Sequence, residues 1–255
     1  MHFDWAFFWR YLFEPSSIYL HGLWLTLSIS VICQLSGTII GLFAALGRLS
    51  SFRSLQVIVR FYTWVMRGTP LLVQVVFIYT ALAAANIFRF QDIDLGFMVL
   101  PGNIQAGILA LSLNEGAYMA EIIRAAITSI DNGQIEASKS LGMRYHLFMR
   151  RIILPQAARF VIPPLGNEFN SMLKNTTLLS VIGVPELLLA TQMVTSATFK
   201  VFELYTVVAL YYLSLTTLWG FIQRRIELHF SEPHTRRQAA VGPVGWRRLF
   251  AATKG

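Results

Sequence analysis

The sequence is poor in charged residues and in cysteine. Charged side chains make up 13% of the 255 residues, against the roughly 25% that ordinary soluble domains carry. Hydrophobic residues make up 55%, and the mean hydropathy is +0.55. A soluble core cannot bury that much apolar surface, so the composition predicts an integral membrane protein. The single cysteine, Cys33, excludes a disulfide framework within one chain and fits a buried packing position in its apolar run.

The sequence also lacks the motifs of common catalytic and metal sites. It has no G-x-x-x-x-G-K-[ST] phosphate loop, so the chain does not carry the ATP-hydrolysing site of a P-loop ATPase. Three histidines, His21, His146 and His229, are scattered and lack the spacing of metal ligands. No nucleophile can be matched with a base. We therefore expect no catalytic residue, no metal site and no cofactor bound by this chain itself.

Five apolar segments are long enough to cross a bilayer, which requires roughly 20 mostly apolar residues each. The predicted spans are residues 20–46, 69–88, 104–127, 153–172 and 204–222. The second follows an arginine-bearing stretch, residues 52–67, that we expect at the membrane interface. The fourth contains Pro163, Pro164 and Gly166, which predict an interruption of its helix. The sequence thus predicts an all-α integral membrane protein with five transmembrane helices.

Lysine and arginine are concentrated on one side of the predicted membrane. Because basic residues accumulate in cytoplasmic loops, their distribution sets the orientation. They follow the first, third and fifth predicted spans, at Arg48, Arg53, Arg60, Arg67, Arg124, Lys139, Arg144, Arg150, Arg151, Arg159, Arg224 and Arg225. The opposite side carries Arg10, Arg89 and Lys200, and Lys174 is assigned to neither side. The pattern predicts an outside N-terminus and an inside C-terminus, and it accounts for the net charge of +8 without a nucleic-acid partner.

The predicted organisation has three parts. Residues 1–19 form a periplasmic or interfacial segment rich in aromatic side chains, which suit the membrane–water boundary. Residues 20–225 form the five-helix transmembrane domain. Residues 226–255 form a basic cytoplasmic tail, in which Trp246 and Phe250 lie beside arginines and which we expect to be mostly disordered. We expect a multi-pass protein of the cell's inner, cytoplasmic membrane, in contact with its lipid.

The segment between the third and fourth predicted spans has strong local backbone signals. Asp131 or Asn132 is suited to cap a helix that starts near Gln134. Glu136 then falls in the first helical turn, where the helix dipole favours a carboxylate. Gly142 suits the end of that helix, where a left-handed backbone is easy only for glycine. The pattern predicts a short helix, a sharp glycine turn and a second helix that starts near residue 144 and returns to the membrane.

Residues in and after this loop match a known motif at fixed spacing. The matching positions are Glu136, Ala137, Ser138, Gly142, Ile152, Leu154 and Pro155. They resemble the EAA loop of ABC-importer permeases, the membrane subunits whose partner is an ATPase. Ser138 stands where the family often has alanine, a small-for-small change. The alternative, an ordinary polar loop, requires neither the glycine nor the Leu-Pro pair. The resemblance implies that these residues couple the chain to the ATPase.

Further stretches resemble the polar amino-acid uptake branch of the same family. They are residues 66–74 (MRGTPLLVQ), 114–124 (NEGAYMAEIIR), 173–178 (LKNTTL) and 184–187 (VPEL), together with Asn167-Glu168. With the loop, the resemblance extends from about residue 22 to residue 225. It implies a permease of the histidine, glutamine, arginine and glutamate type. The implied partners are a second permease (another copy or a paralogue), two ATP-binding subunits that hold ATP and Mg²⁺, and a periplasmic or surface-tethered binding protein.

Polar residues within the spans are candidates for the substrate path, because ionisable groups in a membrane usually face a cavity or a partner. The candidates are Asn114, Glu115, Asn167, Glu168 and Asn170. We hypothesise that Glu168 binds the ammonium or a cationic side chain of the substrate. The alternative is a structural pair with Lys174, whose six-residue spacing is poor for one helix face, or with a residue of another helix. The spacing of Glu121 and Arg124 predicts a structural pair, and Arg67 is interpreted as an anchor at the start of the second span.

Several function classes fit a five-span protein of this kind. The main hypothesis is an importer permease that works by alternating access and leaves ATP hydrolysis to its partner, so that the chain is not itself an enzyme. The alternative is a self-sufficient secondary amino-acid transporter that uses Glu115 or Glu168 as an ion site. A membrane scaffold subunit and an exporter-type or metal-ion permease are more distant alternatives. The sequence leaves open which amino acid is carried.

Overall fold

A computed structural model describes residues 3–96 and 99–230, which form a bundle of helices. The α-helices are α1 (Trp5–Phe13), α2 (Ser17–Leu49), α3 (Arg53–Gly68), α4 (Leu71–Val76), α5 (Leu82–Ala84), α6 (Gly102–Thr128), α7 (Asn132–Ser140), α8 (Tyr145–Phe148), α9 (Leu154–Asn175), α10 (Leu187–Thr198) and α11 (Val201–Phe230). The all-α expectation holds for this bundle. The predicted basic tail, with Trp246 and Phe250, lies outside the described residues apart from its first few positions.

Short irregular elements join several of these helices. A turn of π-helix, Phe77–Ala81, links α4 to α5, and a second, Met149–Ile153, links α8 to α9. A 3₁₀ helix, Thr176–Ile182, extends α9. Strands β1 (Ile93–Asp94) and β2 (Val99–Leu100) pair antiparallel between α5 and α6, an addition that the sequence did not predict. These elements place α3 to α5 and α8 to α10 on bent, composite paths.

Two helices are individually long and apolar enough to cross a membrane, namely α2 and α11. Two further pairs of consecutive helical segments are long and apolar enough only when both segments are counted together, and each pair is bent. These are α3 with the α4–α5 segment, bent by 109°, and the stretch Tyr145–Ile182 with α10, bent by 51°. The described residues therefore contain between two and four such spans. α6 covers the predicted third span but is not among them, so the count of five spans stays a prediction.

The main core lies where α2, α4, α6 and the 3₁₀ helix meet. Its fully buried members include Cys33, Val75, Leu111 and Leu179. The predicted burial of Cys33 is confirmed, because none of its surface is exposed. Apolar side chains from four elements thus converge on one cluster, which fixes the helices around the predicted path.

α2 and α6 approach closely because glycines face the contact. Gly37 and Gly41 form a Gly-x-x-x-Gly pair on α2, a motif that lets membrane helices pack backbone to backbone. A Cβ atom at Gly37 would lie 2.5 Å from the Glu115 Cγ atom, and one at Gly41 would lie 2.5 Å from the Met119 Cβ atom. The sequence analysis missed this pair, although its spacing is visible in the chain.

Replacing Gly41 by alanine should destabilise the protein through this contact. The added methyl group would overlap Met119 and the backbone nitrogen of Ala120, 2.9 Å away, so the helices must separate. Overpacking of this kind costs about 1 to 3 kcal/mol. Thermal unfolding of the purified protein in detergent measures the loss. The control is Gly220→Ala on α11, where a Cβ meets nothing within 4 Å. Equal melting of both variants would contradict the close-packing argument.

α9 runs without a break through Pro163 and Pro164, so the predicted interruption of the fourth span is wrong. The neighbouring α11 supports the backbone there, because Trp219 Nε1 donates to the Gly166 carbonyl at 2.8 Å. Gln223 Nε2 donates to the Pro163 carbonyl at 3.4 Å. The carbonyls that lose their helical donors to Pro163 and Pro164 are those of residues 159 and 160, so these two bonds hold α9 to α11 beside the prolines and do not replace the missing ones. The side chain of Gln223 fills the space that a Cβ at Gly166 would occupy.

The N-terminal helix α1 is tied to the start of α11 by an ion pair. Asp4 Oδ2 accepts from Lys200 Nζ at 2.9 Å, and the Asp4 amide donates to Glu203 Oε1 at 2.8 Å. The amide of Phe7, followed by the Lys200 ammonium, holds the pKa of Asp4 below its ordinary 3.8. Asp4 in turn raises the pKa of Lys200 above 10.5. Stabilisation is lost only as pH falls through the lowered pKa of Asp4 or rises through the raised pKa of Lys200. The anchor is therefore insensitive to pH in the physiological range.

Candidate functional site

The N-terminal end of the predicted coupling loop is capped as the sequence indicates. Asp131 Oδ1 accepts a hydrogen bond from the Gly133 amide at 2.5 Å. α7 begins at Asn132, two residues before the predicted start at Gln134. Glu136 lies one turn further and is exposed. The predicted cap is confirmed, and it fixes the direction in which α7 leaves the membrane domain.

The C-terminal end of α7 closes with a left-handed glycine. Gly142 has φ +67°, as predicted. The Met143 amide donates to the Ser138 carbonyl at 3.0 Å, and the Gly142 amide donates to the Lys139 carbonyl at 2.9 Å. This pair of bonds is the Schellman arrangement, which satisfies the last carbonyls of a helix. Both ends of α7 are therefore specified by hydrogen bonds, so that the loop has a defined shape.

The seven predicted coupling residues divide between two places. On α7, Glu136 and Ala137 are exposed, and Leu141, just beyond the helix, is 80% exposed. Ser138 is buried, and its hydroxyl donates to the carbonyl of Gln134 at 2.7 Å. Of the motif residues on α7, Glu136 and Ala137 are therefore accessible to a partner, and Leu141 adds an apolar side chain that the bundle leaves uncovered.

The second group of coupling residues lies beyond the glycine turn. Leu154 and Pro155 are exposed at the start of α9. Ile152 is half-buried and packs against the cluster of Ile130, Phe148 and Ile153 beneath the loop. Ile152 therefore helps to hold the loop to the bundle, whereas Leu154 and Pro155 add exposed surface beyond the glycine turn. A cavity of about 660 Å³ remains between the loop and the ends of α2 and α6.

The bend between α3 and α4 is closed by side-chain amides. Asn114 Nδ2 donates to the Met66 carbonyl at 3.0 Å and to Gln74 Oε1 at 2.9 Å. Gln74 Nε2 donates to the same Met66 carbonyl at 2.8 Å. A helix that breaks at membrane depth leaves backbone groups that must find partners inside the protein. Asn114, one of the predicted path residues, is therefore engaged in holding this bend.

Glu115 is built into the contact between α2 and α6. It is 4% exposed, and its Oε1 accepts from Gln34 Nε2 at 2.9 Å. Gln34 Oε1 is buried and has no hydrogen-bond partner among the described residues. The carboxylate of Glu115 is therefore buried and engaged in the contact between α2 and α6.

Glu168 is half-buried on α9 and belongs to a group of charges from three helices. The Arg67 guanidinium, at the end of α3, acts electrostatically on Glu168, and Glu168 acts on Glu115. Arg67 lies 5.3 Å from the centre of the Tyr118 ring. Within the described residues, Lys174 forms no ion pair with Glu168. Of the structural alternatives for Glu168, a cation on another helix fits better than the one six residues away.

Two of the predicted path residues on α9 are asparagines, and their surroundings differ. Asn167 is exposed, and its Oδ1 accepts from Gln223 Nε2 at 3.2 Å. Asn170 is half-buried, and its buried Oδ1 has no hydrogen-bond partner in the part of the chain that the structure describes. Of the five predicted path residues, Asn167 is therefore the exposed one, and the other four are at least partly buried.

Two polar clusters complete the picture of the bundle. The predicted ion pair of Glu121 and Arg124 is confirmed at 2.8 Å, and Arg48 of α2 lies 3.5 Å from the same carboxylate.

The structural role of Glu186 was not predicted from the sequence. Glu186 is fully buried, its two carboxylate oxygens accept from the first amides of α10, and Tyr212 donates to it at 3.0 Å. A glutamate directly before an apolar run is the sequence signal that could have revealed this cap.

Comparison of the sequence with known protein families assigns the chain to one of them. Residues 37–231 match the family described as the inner membrane component of binding-protein-dependent transport systems. The chain belongs to this family. The resemblance inferred from the sequence motifs is confirmed. As a permease of an ABC importer, the chain is a translocation subunit of the inner membrane and not an enzyme. Such systems place the ATPase on a separate subunit and receive substrate from a binding protein.

Relatives of this permease align along most of its length. The arginine transport system permease protein ArgU of Corynebacterium glutamicum is 36% identical over 93% of this chain and 75% of its own. The glutamine transport system permease protein GlnP of Escherichia coli is 37% identical over 89% of this chain and 97% of its own. The probable glutamine ABC transporter permease protein GlnM of Bacillus subtilis is 39% identical over 85% of this chain and 96% of its own.

Solved structures support the same fold. A crystal structure of an amino acid ABC transporter with histidines contains a chain that is 36% identical, with a TM-score of 0.77. The match covers 89% of this permease and 99% of that chain. The inward-facing methionine transporter MetNI matches with a TM-score of 0.67 at 19% identity, which shows a common fold alone.

Proposed function

We propose that this permease imports a polar amino acid, with a solute-binding protein delivering the substrate and a partner ATPase supplying the energy. The observation that carries the proposal is the similarity to permeases named for arginine and glutamine, at 36% and 37% identity over about nine-tenths of the chain. The transporter with bound histidines adds a third polar amino acid among the similar proteins. These side chains are cationic, neutral or titratable, so polarity is the property they share.

The proposed topology has five crossings. α2 and α11 each form one, the bent pairs around α3–α5 and α8–α10 form two, and α6 forms the remaining one. The N-terminus is outside and the C-terminus inside, because the basic residues then face the cytoplasm. In this arrangement residues 1–19 lie at the outer surface, residues 20–225 form the membrane domain, and residues 226–255 belong to the cytoplasm.

The proposed coupling element is α7 with its glycine turn. Its exposed Glu136, Ala137 and Leu141 would occupy a groove of the ATPase, while Ile152 and the residues beside it hold the loop to the bundle. Two ATPase subunits with bound ATP and Mg²⁺ would draw the loops of two permeases together. The second permease is another copy of this chain or a paralogue. Because both ends of α7 are fixed by hydrogen bonds, movement of the groove would be passed on to the membrane helices.

The proposed substrate path follows α9. Asn167, Glu168 and Asn170 would contact the amino acid, with Glu168 facing its ammonium or a cationic side chain. Asn114 and Glu115 would support the wall of the path by holding α3, α4 and α2 against α6. Buried polar groups that are engaged rigidify a site, whereas Asn170 Oδ1, which has no partner among the described residues, would gain one from the substrate.

Affinity purification from mild detergent, followed by reconstitution into vesicles, tests the proposed function. We expect an ATPase with a phosphate-binding loop to co-purify with the tagged chain. Uptake of radiolabelled arginine or glutamine should require both ATP and the loaded binding protein. Mass spectrometry of any co-purified permease would distinguish a homodimer from a heterodimer. A chain that purifies alone and transports either amino acid without ATP would overturn the proposal.

Glu115→Gln separates the importer from a transporter driven by an intramembrane carboxylate. A glutamine still offers an oxygen atom to Gln34 Nε2, so we expect ATP-driven uptake within about twofold of wild type. A transporter that uses Glu115 as its ion site would lose transport. The control is Glu115→Leu, which leaves the Gln34 amide without its acceptor and should destabilise the protein by about 1 to 3 kcal/mol. Thermal unfolding of both variants reports that difference.

A further inference from the structure

A second cavity lies at the outer end of the α4–α5 segment. Its volume is about 500 Å³, within the range of roughly 300 to 1,000 Å³ that is typical of small-molecule sites. The lining residues are Tyr79, Thr80, Ala83, Ala84, Arg89 and Phe90. None of them belongs to the predicted path or to the coupling loop. In the proposed topology this cavity opens on the side from which substrate arrives.

Three polar groups of the cavity have no partner. The Arg89 guanidinium and the hydroxyls of Tyr79 and Thr80 form no hydrogen bond or ion pair with any residue that the structure describes. Helical threonines elsewhere, such as Thr69 and Thr206, donate to the carbonyl four residues earlier. Thr80 lies in the π-helix, where the backbone register differs. Its hydroxyl is therefore available to a ligand.

Arg89 is the cation that lines this cavity. The sequence places Arg10, Arg89 and Lys200 on the outer side, and Lys200 is already paired with Asp4. The acidic side chains nearest to Arg89 in the chain accept from backbone amides: Asp92 from Gly102 and Asp94 from Gly96, each at 2.8 Å. Within residues 3–96 and 99–230, no carboxylate forms an ion pair with Arg89.

The segment that carries Arg89 is held in place. The Phe88 and Phe90 rings meet edge to face, with their centres 4.9 Å apart. The Phe90 carbonyl lies where a Cβ of Gly102 would be, and Gln105 Nε2 donates to the Gln91 carbonyl at 2.7 Å. These contacts tie the segment to the start of α6. The cavity is therefore part of the fold and keeps its polar groups on one side.

We propose that this cavity is an outer binding site for a carboxylate, occupied by the α-carboxylate of the amino acid before it reaches α9. The assignment rests on the proposed function for the identity of the ligand. A guanidinium binds a carboxylate through two parallel hydrogen bonds, and the hydroxyls of Tyr79 and Thr80 donate to the same group. The headgroup of an anionic phospholipid shares this chemistry, so the test separates the two sources.

Thiol labelling tests the site without depending on transport. The one native cysteine, Cys33, is fully buried, so a thiol placed in the cavity by Thr80→Cys is the reactive one among the described residues. The permease in its complex is reconstituted into phosphatidylcholine vesicles and treated with a membrane-impermeant sulfonate thiol reagent. Labelling is followed by mass spectrometry with and without millimolar arginine. Argininamide, which lacks the carboxylate, is the matched probe.

The expected result is protection that depends on the carboxylate and on Arg89. Arginine should slow labelling by roughly threefold to tenfold, whereas argininamide should not, and Arg89→Gln should abolish the protection. Ser196→Cys, exposed on α10, is the control and should label equally under all conditions. Equal protection by both probes, or none, overturns the proposal. Protection by anionic phospholipid in the vesicles, with no further effect of arginine, assigns the cavity to a headgroup and overturns it as well.

The outcome is separable from that of the proposed function. Labelling needs neither ATP nor the binding protein, so a complex that fails to import amino acid still reports on the cavity. If the complex imports arginine but arginine does not change the labelling rate at position 80, the proposed outer site is refuted and the proposed importer function is retained.

Discussion

Gly142→Val should lower ATP-driven uptake by about tenfold or more while the permease still reaches the membrane. Gly142 has φ +67°, a conformation that costs an ordinary residue roughly 1 to 2 kcal/mol and a β-branched residue more. A Cβ there meets nothing within 4 Å, so the expected defect arises from the backbone and not from a clash. Loss of the turn would misdirect α7 relative to the ATPase. Uptake in vesicles and the amount of co-purified ATPase measure the two consequences.

Two further variants isolate the backbone effect at this turn. Asparagine tolerates the left-handed conformation better than other non-glycine residues, so Gly142→Asn should keep about half of the uptake. Gly220→Ala, in a helix and without neighbours, should behave as wild type. Normal uptake and normal ATPase binding by Gly142→Val would show that the turn is not needed for coupling.

Glu168→Gln should reduce uptake of arginine by roughly tenfold to a hundredfold and change uptake of glutamine far less. Removing the charge from a charged hydrogen bond costs about 1.5 to 3 kcal/mol, which corresponds to that range. Arginine carries an additional cation, so it depends on the carboxylate more than glutamine does. Initial uptake rates for both amino acids, in the same vesicles and with saturating binding protein, provide the measurement.

The controls for this variant distinguish contact with substrate from a structural role. Glu168→Asp keeps the charge and should retain arginine uptake within about tenfold of wild type. Glu14→Gln removes an exposed carboxylate at the end of α1 and should have no effect. Equal losses for arginine and glutamine would exclude contact between Glu168 and the arginine side chain, and would leave the α-ammonium that both amino acids share or a structural role beside Arg67. Unchanged uptake of both would refute the assignment of Glu168 to the path.

The loop could be predicted in detail because its determinants are local. The Asp131 cap and the left-handed Gly142 each depend on residues within a few positions along the chain. The path of α9 through Pro163 and Pro164 could not be predicted in the same way. The side chain that supports it, Trp219, lies 53 residues beyond Gly166, whose carbonyl it contacts. The rule for proline counts only the hydrogen bond lost along the chain, and it takes no account of the contacts that a distant helix makes with the same stretch.

The candidate path also combines features that the local sequence predicts with features that depend on distant contacts. The sequence identified the polar residues of the spans by type, but it could not tell which of them are already engaged. Glu115 is held by Gln34, which is 81 positions away, and Asn114 by a carbonyl 48 positions away. By contrast, Gly37 and Gly41 have a spacing that is legible in the chain, and they could have predicted the contact between α2 and α6.

The bend between α3 and α4 has a consequence for how the protein is made. The Met66 carbonyl at this bend accepts a hydrogen bond from Gln74, which lies on α4, and a second one from Asn114, which lies on α6. During synthesis the ribosome delivers α3 and α4 well before α6. Until α6 has been synthesised, the Met66 carbonyl lacks one of its two hydrogen-bond donors, the Asn114 amide. We expect the bend of the nascent chain to stay near water or the insertion machinery during this time. The final shape of the bend between α3 and α4 is therefore set only after α6 has been made.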